Sequence, residues 1–426
     1  MAEWTRDAAR ALDAADGLAS LRELFYLRPG LLYFNGNSLG LLSRPAEEAV
    51  REVLDVWRSV AVDGWFTGPN AWLGMMEKAS AQIAPLIGAE PREVTVANST
   101  TINLHQLLST LFRPTATRRK ILVDETVFCS DLYAIRSHLA LRGLDPVGDL
   151  VLVPTVDGVL LSEEMLIDRM EDDVACVVLP SVVYHTGQLL DMPRLTAAAR
   201  QREILIGFDC SHSIGCVPHE LSRWGADFAF WGSYKYLNGG PGAVGGLYLN
   251  RRHFGRAPGL AGWFGGSKDR LLEMPAQFDP AGDAEALQIS TPFVLSLAPV
   301  LGSLSIVAQA GIDALRARSL RLNGLLIDLF DAKLARRGVT LITPREDERR
   351  GGHVSLAHPR AEELCRRLHE VQVIADFRHP DRLRLCPSPL YTSFEDCFEV
   401  MERLELIFDG LEASGASPRP DRSITG

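Results

Sequence analysis

No run in this 426-residue chain approaches the roughly eighteen uninterrupted apolar residues that a membrane span needs, so no membrane is expected among its partners. Its seven cysteines (Cys129, Cys176, Cys210, Cys216, Cys365, Cys386 and Cys397) include no Cys-x-x-Cys pair and are odd in number. That spacing gives no metal centre and no disulfide framework, and points to reduced thiols in the cytoplasm. Positive charge is also in deficit: 44 Lys and Arg against 54 Asp and Glu leave a net charge of −10, which opposes a nucleic-acid groove. The first residues are acidic, amphipathic and Ala-rich, without the apolar core of a secretory signal. There is no internal repeat and no low-complexity block. What remains is ordinary globular composition, 46% hydrophobic and 23% charged, in a chain long enough for two domains.

Apolar positions recur every three or four residues over 3–25, which predicts a helix. An irregular Asn/Gly-rich stretch, Tyr33 to Gly40, follows and leads into a second helix near 44–60. From residue 94 the texture changes. Short apolar runs at Val94–Ala97, Lys120–Val123, Leu150–Val153, Ala175–Leu179, Glu203–Phe208 and Phe228–Trp231 alternate with helical patterns such as 100–111, 131–142 and 163–171. That alternation predicts an α/β fold whose mostly parallel sheet is sandwiched by helices. After Pro292 the pattern becomes helical over 293–336. Shorter runs at Val339–Ile342, His353–Ala357 and Leu383–Cys386 and a helix over 394–413 suggest a smaller α+β C-terminal domain. The expected division is 1–45 as an N-terminal helix and active-site segment packing with the small domain, 46–300 as the large domain, 301–413 as the small domain, and 414–426 as a disordered tail.

Ligands of such sheets sit at the carboxyl ends of the strands, and that is where unusual polar residues fall. Asp209 ends an apolar run, and a carboxylate there can keep a heteroaromatic nitrogen protonated. Lys235, 26 positions further on, follows the run Phe228-Ala229-Phe230-Trp231, where desolvation by aromatics would lower the pKa of an imine-forming amine. Together they suit pyridoxal 5′-phosphate (PLP), whose protonated ring accepts electrons released at a substrate α-carbon. The glycine segment Gly239–Gly246 lacks the spacing of the known phosphate loops.

Ser-Tyr-Lys-Tyr-Leu-Asn-Gly-Gly-Pro-Gly around Lys235, preceded by Asp209-x-x-His212, resembles the kynureninase family of fold-type-I PLP enzymes. So do Phe34-Asn35-Gly36-Asn37-Ser38-Leu39-Gly40, Asn98-x-x-Thr101-x-Asn103-Leu104-His105, Phe128-x-Ser130-Asp131-x-Tyr133, Gly262-Trp263-Phe264-Gly265, Ser290-Thr291-Pro292 and Arg384-Leu385-Cys386-Pro387. The resemblance implies the PLP-dependent transferase type I fold with a seven-stranded sheet, and a homodimer with active sites between subunits. It implies hydrolysis of L-kynurenine or 3-hydroxykynurenine to L-alanine and an anthranilate. Lys235 would bind the cofactor and move the α-proton, with Tyr234 as proton donor or relay. Asp209, supported by Asp131, would face the pyridine nitrogen and Phe128 would stack on the ring. Thr100, Thr101, Tyr234, Trp263 and, from a neighbouring subunit, Thr291 would hold the phosphate, while His212 either braces Asp209 or is a core histidine. Arg384 would clamp the substrate α-carboxylate, with Arg378 and Arg382 as nearby competitors, alongside Asn37 and Ser38. Trp65 either walls the substrate or packs. Val183, Leu287 and Gln288 depart from the family pattern, marking where substrate identity could be set and keeping open a kynureninase-like enzyme for another γ-keto or β-substituted amino acid.

Overall fold

The structure, a computed structural model, describes residues 4–413; the tail expected to be disordered lies outside the described residues. Its strands in chain order are β1 (Leu32–Tyr33), β2 (Val94–Thr95), β3 (Lys120–Asp124), β4 (Leu150–Val153), β5 (Val174–Pro180), β6 (Leu205–Asp209), β7 (Phe228–Gly232), β8 (Gly245–Leu249), β9 (Thr340–Leu341), β10 (Val354–Ala357), β11 (Val373–Ile374), β12 (Asp376–Arg378) and β13 (Arg382–Leu385).

A seven-stranded sheet in the order β2-β8-β7-β6-β5-β3-β4 forms the large layer. Strands β3 to β7 pair parallel, and β8 runs antiparallel between β2 and β7. Strand β8 is the member the apolar pattern does not reveal. It begins inside the glycine segment, where Gly246 lies against the Trp231 indole so closely that a Cβ would collide with it. The parallel strands are covered on both sides, and alternate side chains of β5 feed two separate clusters. Val177 and Leu179 join one, Cys176 and Val178 the other, as the two-residue period of a strand requires.

The second region holds the sheet β12-β13-β10-β9, the helices Ile312–Lys333, Ala361–Glu370 and Phe394–Ala413, and its own core. Ala9, Leu32 and Phe34 from the N-terminal segment belong to that core. Strand β1 pairs parallel with β11, and the Asp13 carboxylate accepts from the backbone N–H of Phe394 (2.7 Å) and Glu395 (2.9 Å), capping the last long helix. Asp16 pairs with Arg318 at 2.6 Å, both buried.

Two helical expectations change. The segment 3–25 is a helix over Arg6–Ala14 followed by a separate 3₁₀ stretch, Ala19–Leu24. The stretch 293–336 is two helices, Val294–Ala310 and Ile312–Lys333, bent by 82°. Gly311 lies between them at φ +79°, a conformation that ends a right-handed helix and suits glycine. Among the described residues no single helix is long and apolar enough to cross a membrane.

Candidate active site

The carboxyl ends of β5, β6 and β7, with the helix starts at Thr100 and Cys129, open on one edge of the large sheet and enclose a cavity of about 280 Å³. Thr100, Thr101, Phe128, Asp131, Asp209, His212, Tyr234 and Lys235 all line it. Eight of the sequence-predicted residues, spread over 136 positions of sequence, are therefore brought to one place.

Lys235 is half-buried, and desolvation of its amine lowers it from 10.5 to about 8; Asp209 and Asp131 pull the other way, while Arg384 adds to the lowering. Burial, followed by the neighbouring Asp209, raises the Asp131 carboxyl well above its ordinary value. Asp209 Oδ1 accepts from the Ser211 N–H at 2.8 Å, and its main-chain oxygen accepts from both the N–H and the hydroxyl of Ser181 at 2.9 Å. The bracing hydrogen bond expected from His212 to Asp209 is not formed. His212 is buried with Nδ1 unpartnered, and burial, with Lys235 nearby, lowers its pKa so that it stays neutral. At the cavity's other end, Ser99 precedes the helix Thr100–Leu111 without a side-chain cap. The first N–H groups of that helix and the Thr100 and Thr101 hydroxyls therefore face the cavity as anion-binding donors.

These groups fit PLP. The helix start suits its phosphate, the half-exposed Phe128 ring can cover a flat heterocycle, the neighbouring carboxylates of buried Asp131 and half-buried Asp209 match a protonated ring nitrogen, and a low-pKa amine suits its aldehyde.

Arg384 comes from the small domain. It is 1% exposed and opposes Asp376 across the β12–β13 ladder. Its Nε donates to Asp376 Oδ2 (2.6 Å), Nη1 to the Tyr184 carbonyl (2.6 Å) and Nη2 to Ser38 Oγ (3.3 Å). Ser38 is carried in by the segment after β1, which runs beside Asn37, a fully buried amide with both polar atoms unpartnered. The segment touches the lysine loop at Gly40, whose N–H donates to the Tyr234 carbonyl at 2.8 Å. A Cβ at Gly40 would collide with the Lys235 carbonyl oxygen, so glycine is required by close approach. Arg378 pairs with the same Asp376 oxygen at 3.0 Å, and Arg382 pairs with Asp381 at 3.1 Å.

Three expected residues, Trp263, Thr291 and Trp65, lie away from this cavity. Trp263 is half-exposed, donates its indole N–H to the Leu271 carbonyl at 3.1 Å and lines a separate apolar hollow. Thr291 does not line the cavity of its own chain. Trp65 packs edge-on against Trp72 with centroids 5.5 Å apart, the packing alternative. Of the three departures from the family pattern, Val183 lines the cavity. Leu287 is buried in the core beside Leu104 and Leu107, and Gln288 accepts from Lys268 at 2.7 Å. Those two do not shape this cavity, because the loop that carries them packs against the helix Thr100–Leu111, where Gln106 binds the Leu287 carbonyl at 3.2 Å. Sequence reasoning missed Tyr184 and Asp376. Strand register could have signalled Asp376, whereas Tyr184 sits in a loop with no periodic pattern.

The family model for the kynureninase C-terminal domain matches residues 315–404. The kynureninase of Geobacillus thermodenitrificans is 49% identical over 405 residues, covering 95% of each chain. That of Shouchella clausii is 47% identical over 404 residues, covering 95% of this chain and 94% of its own. Among solved structures, a cysteine desulfurase from Thermococcus onnurineus superposes with a TM-score of 0.77 at 18% identity, covering 92% of this chain and 98% of its own. A form of C-DES with glycine linked covalently to its PLP cofactor also gives 0.77 at 18% identity, covering 90% of this chain and 98% of its own. At that identity the likeness shows the fold.

Proposed function

Since this chain belongs to the kynureninase family, we infer that it hydrolyses L-kynurenine or 3-hydroxykynurenine, with PLP as cofactor, to L-alanine and anthranilate or 3-hydroxyanthranilate. The observation that carries this reading is the near-full-length similarity to the Geobacillus enzyme. When bound, PLP supplies the electron sink that makes the α-proton removable and the Cβ–Cγ bond cleavable.

The chain's residues take the following parts. Lys235 binds the cofactor aldehyde and carries the α-proton, a task its lowered pKa suits. Asp209 and Asp131 hold the proton on the ring nitrogen, Phe128 and His212 cover the ring, and Thr100, Thr101 and Tyr234 bind the phosphate. Tyr234 also relays a proton. Arg384, set by Asp376 and Ser38, takes the α-carboxylate, with Asn37 beside it.

The protein acts as a homodimer in the cytoplasm. Trp263 and Thr291, away from their own cavity, serve the cavity of a second copy. Large exposed apolar side chains, among them Ile102, Tyr133, Leu260, Trp263, Phe293 and Leu295, support an interface. Val183 in the cavity wall is the observation that favours the second reading, a different γ-keto amino acid. Incubation with kynurenine and with its 3-hydroxy form, followed by product analysis, is the test. Equimolar L-alanine and the matching anthranilate are expected, and a PLP-loaded protein that releases neither would overturn the assignment.

A further inference from the structure

Tyr184 has a place in the site that none of the roles above uses. It follows β5, and its main-chain carbonyl is the 2.6 Å acceptor for Arg384 Nη1. Its ring lines the cavity, stands edge-on to Phe128 with centroids 5.3 Å apart, and lies 6.4 Å from the His212 ring. The hydroxyl has no hydrogen-bond partner among the described residues, although the ring is half-buried. A polar atom held in a cavity wall without a partner has its hydrogen-bonding capacity in reserve for a ligand.

One residue therefore anchors the guanidinium through its backbone and faces the cavity with its side chain, which fixes the distance between the two. A tyrosine hydroxyl stands roughly 6 Å from its own Cα, while the γ-carbonyl of a β-acyl-alanine stands at most about 4 Å from its carboxylate carbon. With the carboxylate on Arg384, the acyl group falls within the sweep of the Tyr184 side chain. The electrostatics agree with a donor. Burial raises the Tyr184 pKa, so the hydroxyl keeps its proton, and the Arg378 and Arg384 charges temper that rise.

Resting on the reaction assigned above, we propose that Tyr184 recognises the acyl half of the substrate by donating its hydroxyl hydrogen bond to the γ-carbonyl oxygen. This is the oxygen on which negative charge grows when water adds to the carbonyl carbon, and a positioned donor there matters more as the charge develops. Amino acids without a γ-carbonyl leave the hydroxyl unused.

The test is Tyr184→Phe, which keeps the ring and the main-chain contact to Arg384. Two measurements that need no acyl group control for folding and for Arg384: the spectral titration of the PLP-loaded protein with L-alanine, and α-proton exchange of L-alanine in D₂O followed by NMR. Both are expected to stay within about twofold of wild type, while kcat/KM for kynurenine falls between about tenfold and a thousandfold. Kynurenine turnover within twofold of wild type would overturn the proposal. So would a parallel loss of alanine binding and exchange, which would place the role in Arg384 support. If the wild-type protein itself binds alanine yet does not hydrolyse kynurenine, the assigned reaction fails instead.

Discussion

The depressed pKa of Lys235 has a kinetic consequence that can be measured without any substrate. Only the neutral amine attacks an aldehyde, so the rate at which the cofactor-free protein takes up PLP follows the neutral fraction. With the amine moved from 10.5 to about 8 by burial, about one molecule in ten is neutral at pH 7, against about three in ten thousand for an ordinary lysine. Reconstitution at pH 7 is thus expected to run about 300-fold faster than reaction with an exposed lysine. The pH profile is the sharper readout. Stopped-flow absorbance of PLP uptake should rise about tenfold between pH 7 and 9 and then level, whereas an ordinary lysine would gain about tenfold per pH unit through pH 10. Because the Arg384 charge helps to lower the value, Arg384→Gln should shift the plateau to higher pH. A rate that keeps climbing tenfold per unit through pH 10 in the wild-type protein would refute the reasoning that burial sets this amine.

The same burial has a stability cost. The folded-state value of Lys235 lies below its unfolded value, so between about pH 8 and 10.5 the unfolded chain binds more protons and stability rises with pH across that window. Lys235→Met should therefore stabilise the cofactor-free protein by up to about 3 kcal/mol at pH 7, with the gain fading by pH 10, as read from urea unfolding at both values. Arg384→Gln removes a charge-assisted grip on the substrate carboxylate of about 3–4 kcal/mol, so kcat/KM for kynurenine should fall by roughly two to three powers of ten. Asp16→Ala leaves Arg318, 3% exposed, as an unpaired buried charge. It should cost about 3–5 kcal/mol in urea unfolding, and an unchanged midpoint would count against this ion pair. If Trp263 serves the partner's cavity, mixing inactive Lys235→Ala with Trp263→Ala should restore about a quarter of wild-type activity, since half of randomly mixed dimers carry one intact site; no recovery would place Trp263 in its own chain's function.

The residues that sequence alone located best are those whose position is set locally. Asp209 closes β6 and Lys235 stands just beyond the end of β7, because an apolar run fixes a buried strand and its end fixes the edge at which the next polar residue emerges. Thr100 and Thr101 open a helix whose 100–111 bounds the periodicity predicted without error, and their N–H groups face a ligand by the geometry of any helix start. Tertiary structure alone decided what distant segments bring to the same place. Strand β8, glycine-led and antiparallel, carries an apolar run of only three residues, Leu247 to Leu249, and is held by pairing with β7 and β2. Asp376 meets Arg384 through cross-strand register, and Tyr184 meets it through a loop carbonyl 200 positions away in sequence. Trp263 matches the family motif as well as Lys235 does, yet stands outside its own chain's cavity. A motif records which residue type is present, whereas the path of the folded backbone decides which site that residue can reach.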